Sequence, residues 1–91
     1  MKARARILVT GKVQGVFFRD FACENAIRLG LTGWVRNISE GDVEMVVEGE
    51  KEKILQLVEK LYHGPPAAQV KEVTVNWQAP EGEFSNFSIS R

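Results

Sequence analysis

The run Gly11-Lys12-Val13-Gln14-Gly15-Val16-Phe17-Phe18-Arg19 places two glycines and then an arginine ahead of an apolar stripe of helical spacing. A glycine-bounded loop that opens a helix gathers backbone N–H groups with no acceptor inside the helix, and such a loop can cradle phosphate. Arg19 stands at the positive end of the helix dipole, where a cation is unfavourable by about 0.3–1 kcal/mol unless something offsets it. A bound anion would do so. So would a surface pair of Arg19 with Asp20 or Glu24, and the loop itself also reads as an ordinary glycine turn; local chemistry leaves both readings open. The Gly-Lys-Ser/Thr of a Walker loop and the Gly-x-Gly-x-x-Gly of a dinucleotide fingerprint are missing, so no nucleotide is implied.

The elements that would position this loop follow from periodicity. Ala5, Ile7 and Val9 alternate with Arg4 and Arg6 in a strand over Ala3 to Thr10. After the loop, Phe18, Ala22, Ala26 and Leu29 recur at helical spacing, and Gly30 stands where a C-terminal glycine would close the helix. Leu31 to Ile38 and Val43 to Val47 flank Ser39-Glu40-Gly41-Asp42 as a hairpin, with Glu44 and Glu48 expected to face solvent. Ile54, Leu57, Val58 and Leu61 stripe a second helix that Gly64-Pro65-Pro66 ends. Val73, Val75 and Trp77 form another strand, and Phe87 and Ile89 a short last one. This order predicts a ferredoxin-like α/β sandwich, with two helices on one face of a mostly antiparallel sheet. No linker or repeat divides residues 1–91, which are expected to form a single domain.

Composition narrows the partners. Twelve Lys and Arg balance twelve Asp and Glu, so no net field draws a polyanion, and nucleic acid is not expected. The single Cys23 cannot form an internal disulfide, which fits a reducing cytoplasm, and no cysteine or histidine pair has metal-ligand spacing. The N-terminus lacks the apolar stretch of a signal peptide, and no apolar run approaches the roughly 20 residues of a membrane-spanning helix. Cys23, Trp34 and Trp77 read as packed residues, with either tryptophan a candidate for lining a pocket, and Lys12 reads as a solvated loop charge.

Gly11 to Arg19 resembles the acylphosphatase signature Gly-x-Val-Gln-Gly-Val-x-Phe-Arg at every specified position. Gly33-Trp34-Val35-Arg36-Asn37 is similar to that family's second motif, Gly64-Pro65-Pro66 to the break after its second helix, and Phe84-Ser85-Asn86-Phe87 to its closing strand. The resemblance covers the whole chain. It implies that Arg19 and Asn37 are catalytic and that the chain hydrolyses acyl phosphates without metal or cofactor; a monomer is the expectation for so small a chain.

The chemistry is consistent with those residue types. Phosphoryl transfer asks mainly for positioning and for stabilisation of charge on three equatorial oxygens. The N–H groups of Gly15, Val16, Phe17 and Phe18, with the Arg19 fork, are assigned to those oxygens. Neither motif offers an activated Cys, Ser or His, so water is the nucleophile, and the Asn37 carboxamide would orient it. No general acid is in view, but a carboxylate leaving group with a pKa of roughly 4 departs unprotonated. Inorganic phosphate is then both product and competitive inhibitor. Two other readings fare worse. A maturation module that binds carbamoyl phosphate would be expected to carry Cys-x-x-Cys pairs and a further domain, and an RNA-binding sheet would show an aromatic RNP1 pattern.

Overall fold

Ala5, Ile7 and Val9 alternate along strand β1 (Lys2–Lys12), and in the computed structural model, which describes residues 1–90, all three are completely buried. Beyond it run α1 (Phe18–Arg28), β2 (Thr32–Asn37), β3 (Val43–Glu50), α2 (Lys51–His63), β4 (Gln69–Gln78) and β5 (Phe87–Ile89). The sheet order is β4-β1-β3-β2-β5, antiparallel except for β5, which pairs parallel to β2. Helix α1 packs on β2 and β5, α2 on β1, β3 and β4, and the helices touch each other on one face of the sheet. This is the expected ferredoxin-like arrangement.

The core lies between helices and sheet. Ile54, Leu57 and Leu61 of α2 are fully buried, each contributing about 1.5–3 kcal/mol, and they share one core cluster with Ile7, Met45 and Val47 of the sheet. Helix α1 ends in a Schellman turn, in which Gly30 N–H reaches Ile27 O at 3.0 Å and Leu31 N–H reaches Ala26 O at 2.9 Å. Gly30 takes φ 73°, as a closing glycine does.

Strand β1 runs two residues past its expected end. Its register against β4 shifts between Thr10 and Gly11, so a bulge carries the pairing on to Lys12. A Cβ on Gly11 would lie 2.2 Å from the Gln69 carbonyl oxygen, which is why only glycine fits the bulge. Lys12 is therefore an exposed strand residue rather than a loop residue.

The other face of the sheet corrects a second expectation. Glu44 and Glu48 are buried, at 5% and 6% exposure, not solvated. Glu44 Oε2 accepts from Arg6 Nε at 2.7 Å and Oε1 from Arg36 Nε at 2.9 Å. Glu48 Oε2 accepts from Arg4 Nη1 at 2.7 Å, and its two oxygens take the N–H groups of Glu81 and Gly82 at 2.9 Å each. The latter two lie in the segment 79–86, which must cross from β4 at one edge of the sheet to β5 at the other. Glu48, on the central strand, pins that crossing midway. The tryptophans also depart from the expected core. Trp77 is 39% exposed beneath Lys51 Nζ, and Trp34 lies half-buried under the Arg36 guanidinium, 4.9 Å from its ring centre.

Burial pushes the Glu48 carboxyl up, but the Glu81 N–H, the Arg4 guanidinium and the Gly82 N–H outweigh it and hold its pKa below the ordinary value. A lowered folded-state pKa stabilises the fold above the unfolded value near 4.5 and loses that contribution as pH falls through the folded one. Glu48→Gln should therefore cost about 2–3 kcal/mol in urea unfolding at neutral pH, with a smaller difference from the parent in acid. An equal difference at both pH values would show that the charge on Glu48 is not what pins the crossing.

Candidate active site

The segment between β1 and α1 is anchored inward and bare outward. Val13, Val16 and Phe18 are 1%, 7% and 1% exposed and seat the loop in the core, while Gly15 and Phe17 between them point to solvent. Gly15 has φ 73° and nothing within 4 Å of the position of a Cβ, so the positive φ and not a lack of space requires glycine. Phe17 also adopts a left-handed conformation, φ 63° and ψ 26°, the one non-glycine to do so among the described residues. Such a conformation costs a residue with a Cβ about 1–2 kcal/mol.

Phe17 is the N-cap of α1, and no side chain caps that helix. The first helical bond runs from Phe21 N–H to Phe17 O at 3.1 Å. The N–H groups of Phe18, Arg19 and Asp20 thus have no helical acceptor. Nor does any backbone acceptor among the described residues take those of Gly15, Val16 and Phe17. The result is a cluster of donors at the positive end of a helix, a ready site for an anion.

A cleft of about 440 Å³ opens over this cluster, lined by Val13, Gly15, Phe17, Phe18, Arg19, Asp20, Asn37 and Ile89. Gly15, Phe17, Phe18, Arg19 and Asn37, all singled out in the sequence, therefore meet there. Val16 shares only its backbone with the loop, since its side chain is in the core. Among the described residues no carboxylate forms an ion pair with Arg19, so the alternative pairing with Asp20 or Glu24 is not formed. Asp20 stands exposed on the rim. Neither tryptophan lines the cleft.

Asn37 ends β2, where Ile38 N–H bonds to Asp42 O at 3.0 Å and closes the three-residue turn Ser39-Glu40-Gly41, with Gly41 at φ 86°. Its Oδ1 is buried and has no hydrogen-bond partner among the described residues. An unsatisfied buried carbonyl oxygen costs about 1–3 kcal/mol, and Asn37 is also one of the residues that line the cleft. Among the described residues no three His, Cys, Asp or Glu side chains converge as a metal site.

Two residues of the site escaped sequence reasoning. Ile89 reads only as a strand residue until β5 is known to lie beside β2. Gln14 lies inside the first motif, but its side chain has no local signal of its role. Its Nε2 donates to Ile38 O at 2.8 Å and to Asp42 O at 2.9 Å, tying the anion loop to the turn that follows Asn37.

Comparison with known proteins points to one family. A family model described as Acylphosphatase matches residues 5–89. The curated acylphosphatase of Pelotomaculum thermopropionicum is 51% identical over 89 residues, covering 98% of this chain and 97% of that relative. The solved acylphosphatase of Coxiella burnetii has a TM-score of 0.93 at 44% identity, over 98% of this chain and 93% of its own. That of Bacillus subtilis has 0.94 at 35% identity, over 100% of both chains.

Gln14→Met keeps the length of the side chain and removes both donors. It should lower stability by about 1–2 kcal/mol, the value of two neutral hydrogen bonds, and weaken the binding of inorganic phosphate in calorimetric titration. Parental phosphate affinity in the folded variant would show that loop and turn hold their places without the tie.

Proposed function

This chain belongs to the acylphosphatase family and hydrolyses acyl phosphates to a carboxylate and inorganic phosphate, and from that premise we propose how its residues divide the work. The N–H groups of Gly15, Val16, Phe17 and Phe18, with the Arg19 guanidinium, hold the phosphoryl oxygens and stabilise their charge in the transition state. Asn37 Oδ1 accepts a hydrogen bond from the attacking water and aims it at phosphorus. The observation that supports this division is that Asn37, whose Oδ1 has no hydrogen-bond partner among the described residues, lines the same cleft as Arg19.

Water then forms the new P–O bond while the P–O bond to the acyl group breaks. The carboxylate leaves with the bonding electron pair, and the proton of the water passes to a phosphate oxygen. A leaving group with a pKa of roughly 4 needs no protonation, so the cleft can do without a general acid. The anion's charge is met by Arg19 and the helix N-terminus, and the reaction proceeds without a metal ion. Every residue invoked comes from one chain, so a monomer suffices. Cys23, packed against the core, asks for no oxidising compartment, in keeping with the cytoplasm.

Three outcomes are expected. Hydrolysis of an acyl phosphate should persist in excess chelator; loss on chelation with recovery on adding Mg²⁺ would overturn the metal-free route. Arg19→Ala should impair both phosphate binding and turnover, since the guanidinium meets the oxygens in ground and transition states alike. Asn37→Ala should lower kcat by about 10²-fold or more while phosphate affinity changes little. Steady-state kinetics beside phosphate calorimetry on folded variants checks both, and near-parental turnover in Asn37→Ala would remove that residue from the mechanism.

A further inference from the structure

The geometry points to an acyl-binding wall: we propose that the ring of Phe17 receives the acyl group of the substrate and favours flat or branched apolar acyl phosphates over short ones. This deepens the reading of the chain as an acyl phosphate hydrolase and rests on it.

Phe17 is 79% exposed, more than any other large apolar side chain among the described residues except the terminal Met1. It is also held in the left-handed conformation that glycine takes without strain, as Gly15 does two residues earlier. The fold therefore bears a backbone cost at Phe17 and recovers almost no packing from its ring. Strain of that kind at a cleft points from the outlier to a function.

The ring is ill suited to the phosphate itself, because the face of a benzene ring is the negative part of its quadrupole. It suits the other half of the substrate. The cleft, about 440 Å³, is larger than a phosphoryl group, so room remains beside it for the acyl end.

In-line displacement decides between the two exposed apolar residues of the cleft. The leaving group lies opposite the attacking water, and therefore away from Asn37. Ile89 pairs with Val35, two residues before Asn37 on the same face of the sheet, which puts it on the side of the water. Phe17 belongs to the loop across the cleft, and its own N–H is part of the phosphate cradle. Of the two, only Phe17 lies off the paired strands that carry Asn37 and Ile89, and the departing acyl group is assigned to its ring.

A contact to the unreacting acyl group is made equally in ground and transition states, so it acts on KM and not on kcat. The test measures kcat and KM for benzoyl phosphate and acetyl phosphate with the parent, Phe17→Gly, Phe17→Leu and Ile89→Thr, each shown to be folded by circular dichroism. In Phe17→Gly the benzoyl-to-acetyl ratio of kcat/KM should fall by roughly five- to tenfold, the scale of one aromatic contact, through a raised KM for benzoyl phosphate. Phe17→Leu should fall between, and Ile89→Thr should keep the parental ratio within about twofold. An unchanged ratio in Phe17→Gly overturns the proposal, as does a loss confined to kcat for both substrates or a collapse of the ratio in Ile89→Thr. If the parent hydrolyses neither compound, it is the underlying hydrolase reading that fails, and the acyl wall falls with it.

Discussion

Backbone N–H groups can stabilise an anion only where no other acceptor takes them, and in this chain that constraint governs how β1 passes into α1. A helix start normally recruits a serine, threonine or aspartate to cap its first donors. Here the N-cap is Phe17, which offers no acceptor, and the first turn stays open. The left-handed conformations of Gly15 and Phe17 turn the chain so that the donors between them gather at one end of the cleft. Arg19 adds a permanent charge where the dipole alone would supply about half of one.

The sheet is organised to hold the second half of the site against that loop. Asn37 ends β2, and β2 is held between β3 and the parallel β5. The β5 pairing brings Gly33 N–H to Asn86 O at 2.9 Å and Ser90 N–H to Val35 O at 2.8 Å. For β5 to reach that edge, the chain must cross the width of the sheet, and Glu48 is the midpoint that fixes the path. A buried carboxylate with three donors on it is geometrically demanding, and that demand is what makes it a good pin. Gln14 completes the arrangement from the other side, since its two hydrogen bonds reach the turn directly after Asn37.

Much of this is legible in the sequence alone. Alternation along β1 and β4, the helical stripe of Ile54, Leu57 and Leu61, and the closing glycines Gly30 and Gly64 announce elements by local rules, and the two motifs announce Arg19 and Asn37. Three features were not legible, for related reasons. Glu44 and Glu48 alternate with apolar neighbours in β3, and a two-residue period normally separates core from water. On the central strand the second face is covered as well, by arginine side chains and by the crossing segment, so the alternation separates apolar burial from ionic burial. Trp34 and Trp77 have the composition of core residues, yet each lies under a cation near an edge, because a long Arg or Lys stem can shield a large ring as readily as the core can. Gln14 and Ile89 join the site through contacts to residues 24 or more positions away, or across a strand pairing, and no local pattern encodes such distances.

The remaining question is how so small a domain tolerates a strained and unsatisfied site, and magnitudes decide it. The left-handed Phe17 costs about 1–2 kcal/mol and the unpartnered Asn37 Oδ1 about 1–3. Against them stand Val13, Val16 and Phe18, three side chains of the same loop buried to within a few per cent, each contributing about 1.5–3 kcal/mol. The loop is thus fixed by the side chains that alternate with its functional positions: Val13, Val16 and Phe18 face inward, while Gly15, Phe17 and Arg19 face the cleft. Because anchor and function occupy neighbouring residues, the donors are positioned by the core and not by the ligand. A pre-organised cradle of this kind loses little free energy to reorganisation when a phosphoryl group arrives, which is the condition under which its hydrogen bonds act most strongly on the transition state.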